Sequence, residues 1–293
     1  MKKYFLLALG LLVAHVSIAQ WSSSLLWEVK DPETKKTSYL FGTYHLLGSA
    51  FISDNPRIEK AYNASEHVVV EMLVDSSAMM TVAMMGLMPG KSLKAMVDSA
   101  DYALLQEKLN PILGMDLIML DQVKPMVIST MYMLKDVESF APDSLVDTEE
   151  PMDLFFAQDG KKQGKEVMGL ETAKEQASLL FESTTVEEQA KMLVEMVKQE
   201  EEADSTSEAE DVTAYYLAED LNKMWAMAKD LGLGLDNSDV LLKNRNENWI
   251  PKLKAPLAKG KAFIAVGALH LPGADGLIEL LKAQGYELKP IMP

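Results

Sequence analysis

Short apolar runs broken by polar turns mark both ends of this chain, and a long stretch that reads as helices lies between them. Leu25 to Val29 and Ser38 to Phe41 alternate as strands around the turn Asp31-Pro32-Glu33-Thr34, which predicts a hairpin. Asp54-Asn55-Pro56 starts a helix from about Asn55 to Ala64. The β-branched run His67 to Met72 then reads as a buried strand. Strand, helix, strand is the unit of a parallel sheet. Residues 76 to 140 read as helices punctuated by Pro111 and Pro125. Met79, Met80, Met84, Met85 and Met88 form a stripe that ends at Pro89-Gly90. Flexible core packing is the plain reading of such a stripe; an adaptable wall or lid over a site is the sharper one. Further helices are expected over 151 to 163 and 172 to 200, with the strand Glu166 to Glu171 between them. The helix carrying Tyr215, Tyr216, Leu221 and Trp225 is expected to break at Gly232 and Gly234. The next, with Leu241 to Trp249, is expected to close at Pro251 and Pro256. Ala262 to Val266 is the last strong strand, followed by a short helix with a Gly285 cap and an edge strand from Glu287 to Ile291. The two ends thus supply a sheet, with a mostly helical middle (roughly 76 to 250) inserted in a single α/β domain.

One phrase occurs near each end of the chain. Tyr39-Leu40-Phe41-Gly42-Thr43-Tyr44-His45-Leu46 and Ala262-Phe263-Ile264-Ala265-Val266-Gly267-Ala268-Leu269-His270-Leu271 are both strand-like runs that end in Gly-x-x-His-Leu. A strand that stops at glycine and then presents a histidine puts an imidazole at the rim of the sheet. Open α/β sheets bind ligands at the carboxyl ends of their strands. If the two strands are neighbours, His45 and His270 converge on one site.

The first residues are set apart from the fold. Met1-Lys2-Lys3 is basic, Phe5 to Val13 is apolar, and Ser17-Ile18-Ala19 is a small-residue cleavage signal. This predicts an export signal over 1–19 and a mature chain from Gln20 in a periplasm or outside the cell. A retained membrane anchor is the weaker reading, because the apolar run is shorter than the ~20 residues a spanning helix needs. The chain has no cysteine, so thiol nucleophiles, cysteine-ligated zinc and disulfides are excluded. Its net charge of −16 argues against nucleic acid, whose phosphates reward lysine and arginine, and against anionic membrane surfaces. The acidic stretch Glu200 to Asp211 reads as a solvated loop or helix end, since its spacing fits no calcium loop.

The candidate chemistry gathers on few residues. His45 and His270 lead, and His67, which lacks the repeated frame, reads as structural or exposed. Glu71 and Glu171 each end a predicted strand, where a buried charge is costly unless it has a task. Two histidines with one or two carboxylates suit Zn²⁺, Mn²⁺, Co²⁺ or Fe²⁺. Such an ion lowers the pKa of bound water to ~7, and a nearby carboxylate can take its proton. Arg245 offers a planar fork for a carboxylate or an oxyanion, or is a plain surface helix arginine. Asn246 lies beside it. Asp153 is a weaker candidate, as a helix cap or as a group that orients a ligand histidine. There is no Gly-x-Ser-x-Gly elbow, phosphate-binding glycine loop or His-Glu-x-x-His helix.

At these positions the chain resembles the TraB/GumN family, which includes the Tiki metalloproteases. The likeness rests on Gly42-Thr43-Tyr44-His45, Glu71, Gly169-Leu170-Glu171-Thr172 with Glu175-Gln176, Arg245-Asn246, and Gly267-Ala268-Leu269-His270-Leu271-Pro272-Gly273. The resemblance implies an α/β fold related to the erythromycin esterase and ChaN-like group, its central mixed sheet built from two pseudo-repeated β-α halves. It also implies metal-dependent peptide hydrolysis, with Mn²⁺ or Co²⁺ favoured and Zn²⁺ allowed. His45, His270 and Glu71 are then expected on the metal, and Glu171 as general base, although the two glutamates are exchangeable. Arg245 is expected to steady an anionic intermediate and Asn246 to orient the substrate, a peptide or small molecule. The alternative is a non-catalytic binding protein for a peptide, a metal or a haem-like ligand.

Overall fold

In the computed structural model, the described residues are 24–138, 142, 144–147, 150–202, 206–230 and 239–293. The export signal expected over 1–19, and the glycines 232 and 234, lie outside them. Six strands form one mixed sheet: β1 (Leu26–Lys30), β2 (Thr37–Thr43), β3 (His67–Met72), β4 (Glu166–Glu171), β5 (Ala262–Gly267) and β6 (Glu287–Pro290). Their order is β4-β3-β5-β2-β1-β6. β4, β3, β5 and β2 run parallel, and β1 pairs antiparallel with β2 and β6. The sheet is therefore the expected α/β core, with helices around it and β6 as the expected edge.

The sequence explains the order. β5 reads Ala-Phe-Ile-Ala-Val and is buried on both faces, as is the valine run of β3. Continuous apolar runs belong in the middle of parallel sheets, where helices cover both sides. β6 is shorter, alternates half-buried and exposed, and carries Pro290, which an edge tolerates because proline cannot donate to a ladder. The β1–β2 hairpin is held by Asp31, whose Oδ1 accepts from the Glu33 and Thr34 backbone N–H groups at 2.9 and 2.7 Å.

Helices and strands alternate so that one rim collects the chemistry. The helix Met152–Lys162 leads down into β4, and the helix Asn244–Lys259 leads down into β5. Their first turns therefore lie level with the carboxyl ends of the strands. Phe156 packs between Phe41 and Phe263, with ring centroids 5.8 and 4.8 Å away, and seats the first of these helices on the sheet. A second apolar cluster, including Leu93, Leu105, Leu109, Ile128, Leu193 and Val197, gives the helical middle a core of its own.

Three expectations need correction. Pro251 and Pro256 do not close their helix, which runs through both to Lys259. Each proline forfeits one backbone bond, but the buried face of Trp249, Leu253, Pro256 and Leu257 holds the helix against the sheet. The helix with Tyr215 and Tyr216 breaks earlier than the glycines, between Leu217 and Leu221, where Glu219 takes a φ of 55°. The methionine stripe is not core: Met79, Met80 and Met84 are each more than 60% exposed, and only Met88 of the five is buried. The helix Ser76–Met85 has one packed side, against the helix Ala173–Phe181, and no fully buried residue.

Gly42 shows how tightly the repeated phrases are joined. A Cβ there would lie 2.9 Å from the Ala268 Cα, in the turn that carries His270. Gly42→Ala is expected to destabilise the protein by about 1–3 kcal/mol, the usual cost of overpacking a close-packed contact. Urea unfolding against wild type checks this, and an unchanged midpoint would show that the two turns can part without cost.

Candidate functional site

β2 and β5 are neighbours, and their carboxyl ends place both histidines on the same rim. Thr43 pairs with Gly267, so the two Gly-x-x-His phrases sit one residue out of register. That offset gives the two imidazoles different surroundings. His45 stands on a turn, with a side chain 63% exposed, while His270 is buried in a short 3₁₀ turn.

His45 is steered by an aspartate from the helix Met152–Lys162. Asp153 Oδ2 lies 2.7 Å from His45 Nδ1, and its Oδ1 accepts from the Thr43 hydroxyl at 2.7 Å. The Asp153 charge raises the His45 pKa to about 9, against the opposing effect of desolvation. Nδ1–H therefore donates to the carboxylate, and Nε2 faces the rim. A histidine whose far nitrogen is held by a carboxylate is the usual arrangement of a metal-binding imidazole.

His270 is fixed from three sides. Asn246 donates its amide to the carbonyls of Asp275 and His270 at 2.8 and 3.3 Å, which turns its Oδ1 towards His270 Nδ1 at 2.7 Å. Nδ1 must then carry the proton. Nε2 is left as an acceptor and takes a bond from Arg245 Nη1 at 3.1 Å. Trp249 packs against the ring at a 40° tilt, with centroids 4.4 Å apart. Burial, with help from Arg245, pushes the His270 pKa down to about 4, so this imidazole is neutral at physiological pH.

The glutamates divide. Burial opposes ionisation of Glu71, but the positive charges of Arg245 and His45 and the Gly267 N–H hold its pKa below the ordinary carboxylate value. Arg245 already supplies the positive charge beside both groups, so Glu71 is ionised and His270 neutral. Glu71 Oε1 accepts from the Gly267 N–H at 2.8 Å and lies 3.7 Å from His270 Nε2. Its Oε2 accepts from Arg245 Nη2 at 2.6 Å and from Gln176 at 3.2 Å. Glu171 is fully engaged elsewhere: Arg245 donates to both of its oxygens, and Trp249 Nε1–H donates to Oε1 at 2.9 Å. Arg245 is thus the hub of a mostly buried network. Its carboxylate bonds keep its pKa raised although desolvation alone would lower it.

Gly267 leaves the centre open. A Cβ there would meet Glu71 Oε1 at 3.3 Å, the His270 Cδ2 at 3.6 Å and His45 Nε2 at 4.0 Å. Three side chains of the types that bind divalent ions therefore surround one small space that any larger residue would fill. By kind and direction these donors fit the ion that the resemblance implies. As they stand, no three His, Asp or Glu side chains among the described residues are drawn together around an ion. The reason is visible in Arg245, which occupies His270 Nε2 and Glu71 Oε2. His45 Nε2 is the position left free, and Glu71 Oε1 keeps only its bond from the Gly267 N–H.

Seven of the eight residues singled out from the sequence lie at this rim, and the eighth, His67, lies at the far end of β3 beside Glu166. Asp153 proves to be the orienting group for His45. Gln176, which bonds Glu71, and Trp249, which bonds Glu171, complete the network. Trp249 follows Arg245 by four residues, and that spacing places them on one helical face, with the guanidinium 4.8 Å from the indole ring.

Asp153→Asn is expected to return the His45 pKa towards the ordinary histidine range, read by NMR titration of the metal-free protein. The same variant should weaken Mn²⁺ binding roughly 10–100-fold, the usual cost of losing a group that orients a ligand. Because His45 Nε2 must lose a proton to bind a cation, wild-type affinity should rise as the pH climbs from 6 towards 9. A pH-independent affinity would remove His45 from the ligand set.

Comparison with known proteins gives two matches and one absence. The TraB/PrgY/gumN family model matches residues 25–290. The chain is also similar to Metalloprotease TIKI2 of Danio rerio, 23% identical over 323 residues, which takes in 92% of this chain and 61% of that protein. The chain therefore spans about three fifths of that relative's length. No solved structure matches.

Proposed function

The chain belongs to the TraB/PrgY/gumN family, and from that premise we propose that it is an exported, metal-dependent hydrolase that cleaves peptide bonds. One observation carries the reading: His45, Glu71 and His270 face a common space beside Gly267, at the carboxyl ends of adjacent parallel strands. The name of the distant relative, a metalloprotease, points the same way. No helix of the described residues is long and apolar enough to cross a membrane.

His45, Glu71 and His270 would hold the ion, Mn²⁺ or Co²⁺ before Zn²⁺. When bound, such an ion supplies a nucleophilic water near neutral pH and polarises a carbonyl. The protein's own groups do the rest. Asp153 holds the His45 Nδ1 proton and so keeps Nε2 turned to the centre. Asn246 does the same for His270. Glu71 enters as a carboxylate at any physiological pH. Glu171 is assigned to holding Arg245 rather than to proton transfer, because both of its oxygens are taken. Glu71, whose Oε1 lies beside the Gly267 N–H and 3.7 Å from His270 Nε2, is placed with the ion, and neither glutamate is assigned the general-base role. Arg245 stands ready to donate to an anionic oxygen once it yields His270 Nε2.

The test is cleavage of a mixed peptide library by protein purified from Gln20 onward, with Mn²⁺, Co²⁺, Zn²⁺ or EDTA added. Metal-dependent products that accumulate with time support the reading. Stoichiometric capture of peptide, metal or haem without turnover would replace it with a binding role.

A further inference from the structure

Beyond the Glu171–Arg245 pair lies a cleft of about 1000 Å³, at the upper end of what small-molecule pockets enclose. One wall is the helix Asn244–Lys259, and the other is the helix Ala173–Phe181 with its exit turn. Glu171 and Arg245 belong both to this cleft and to the candidate centre, and so form the wall that the two share.

Each wall presents a row spaced four residues apart. Asn244, Asn248 and Lys252 line one side, and Lys174, Ser178 and Glu182 the other. Four residues of helix rise about 6 Å. Two residues of an extended peptide rise about 6.4–6.8 Å. The rows therefore keep step with every second peptide unit of an extended chain. Asn244 and Asn248 are exposed, and their carboxamides make no hydrogen bond among the described residues. A carboxamide both donates and accepts, as a peptide unit does. The apolar lining is confined to Leu179 and Val240, with no aromatic side chain, so no pocket here selects a large side chain.

We propose that this cleft binds the extended main chain of a peptide, with Asn244 and Asn248 pairing to alternate peptide units and the substrate's side chains left largely unread. The inference rests on the peptidase reading for its use and names the substrate class: unfolded or extended polypeptide of loose sequence preference, longer than a dipeptide.

The experiment is fluorescence anisotropy in EDTA, where cleavage cannot intervene, with labelled Gly-Ser peptides of two, four, six and eight residues. Affinity should rise with each added pair of residues. Asn244→Leu/Asn248→Leu, two exposed and near-isosteric changes, should weaken octapeptide binding about tenfold, as expected for a few neutral hydrogen bonds. N-methylation of alternate residues should weaken it similarly, while exchanging Ser for Ala should not. Equal affinity for the dipeptide and octapeptide, or an N-methylated octapeptide that binds as well as its parent, overturns the proposal. So does a cello-oligosaccharide that binds more tightly than the octapeptide. Length-dependent binding with no cleavage in Mn²⁺ upholds the cleft and retires the hydrolase. Cleavage indifferent to peptide length and to both asparagines upholds the hydrolase and retires the cleft.

Discussion

Arg245→Met is expected to cost about 3–5 kcal/mol of stability, the usual result of removing one partner from a buried ionic network. The guanidinium bonds Glu71, Glu171 and His270 at once, and both carboxylates have side chains less than 10% exposed. Without it, two buried negative charges face each other and neither can reach bulk water. At a few degrees per kcal/mol for a chain of this size, the melting temperature should fall by roughly 10 °C. Two controls separate charge from packing. Adding Glu171→Gln to Arg245→Met removes one of the stranded charges and should restore at least half of the loss. Mn²⁺ should raise the melting temperature of Arg245→Met more than that of wild type, because a bound cation replaces the missing charge and stabilises the folded state by mass action. A loss below 1 kcal/mol in the single variant would mean that water or the proton already relieves the glutamates.

The second large effect falls on activity. His45→Ala should abolish metal-stimulated peptide cleavage, with a loss beyond the roughly 10–100-fold expected of an orienting group alone. Its stability should fall by no more than about 1 kcal/mol, since the ring is exposed and a solvent-screened ion pair with Asp153 contributes about 0–1 kcal/mol. His270→Ala should lose activity to the same extent but also melt earlier, by about 2–4 kcal/mol. It empties a buried space beside Trp249 and leaves Asn246 Oδ1 and Arg245 Nη1 without their partner. Measuring kcat/KM and thermal unfolding on both variants separates the two roles. Full activity in either one refutes the metal-site reading.

Much of this architecture is legible without coordinates. The valine run of β3 and the Ala-Phe-Ile-Ala-Val of β5 announce themselves because parallel strands buried on two faces must be continuously apolar, and the partly buried edge strand Glu166–Glu171 is legible from its shorter apolar run. Helix ends are harder. Pro251 and Pro256 carry a strong local signal to stop, and burial of Trp249, Leu253 and Leu257 overrides it. The methionines of Ser76–Met85 mislead in the opposite sense: their hydrophobicity predicts core, yet the helix that bears them packs on one side only.

The sequence by itself determined that two histidines and two glutamates stand at the ends of strands, because strand termini and Gly-x-x-His turns are local features of the chain; pairing of those strands in the folded sheet brings them to one rim. Only the tertiary structure decided that these groups are unequal. Pairing Thr43 with Gly267 sets the repeated phrases one residue apart. His45 is left in solvent beside Asp153, while His270 is sealed under Asn246, Arg245 and Trp249. Two identical motifs thus yield a readily protonated imidazole and a neutral one, since proton affinity depends on burial and neighbouring charge. The same is true of the glutamates. Nothing in the similar strands that end at Glu71 and Glu171 tells which carboxylate Arg245 and Trp249 will occupy together. That choice is made by the helix Asn244–Lys259, which arrives from more than seventy residues further along the chain and sets its first turn against the rim.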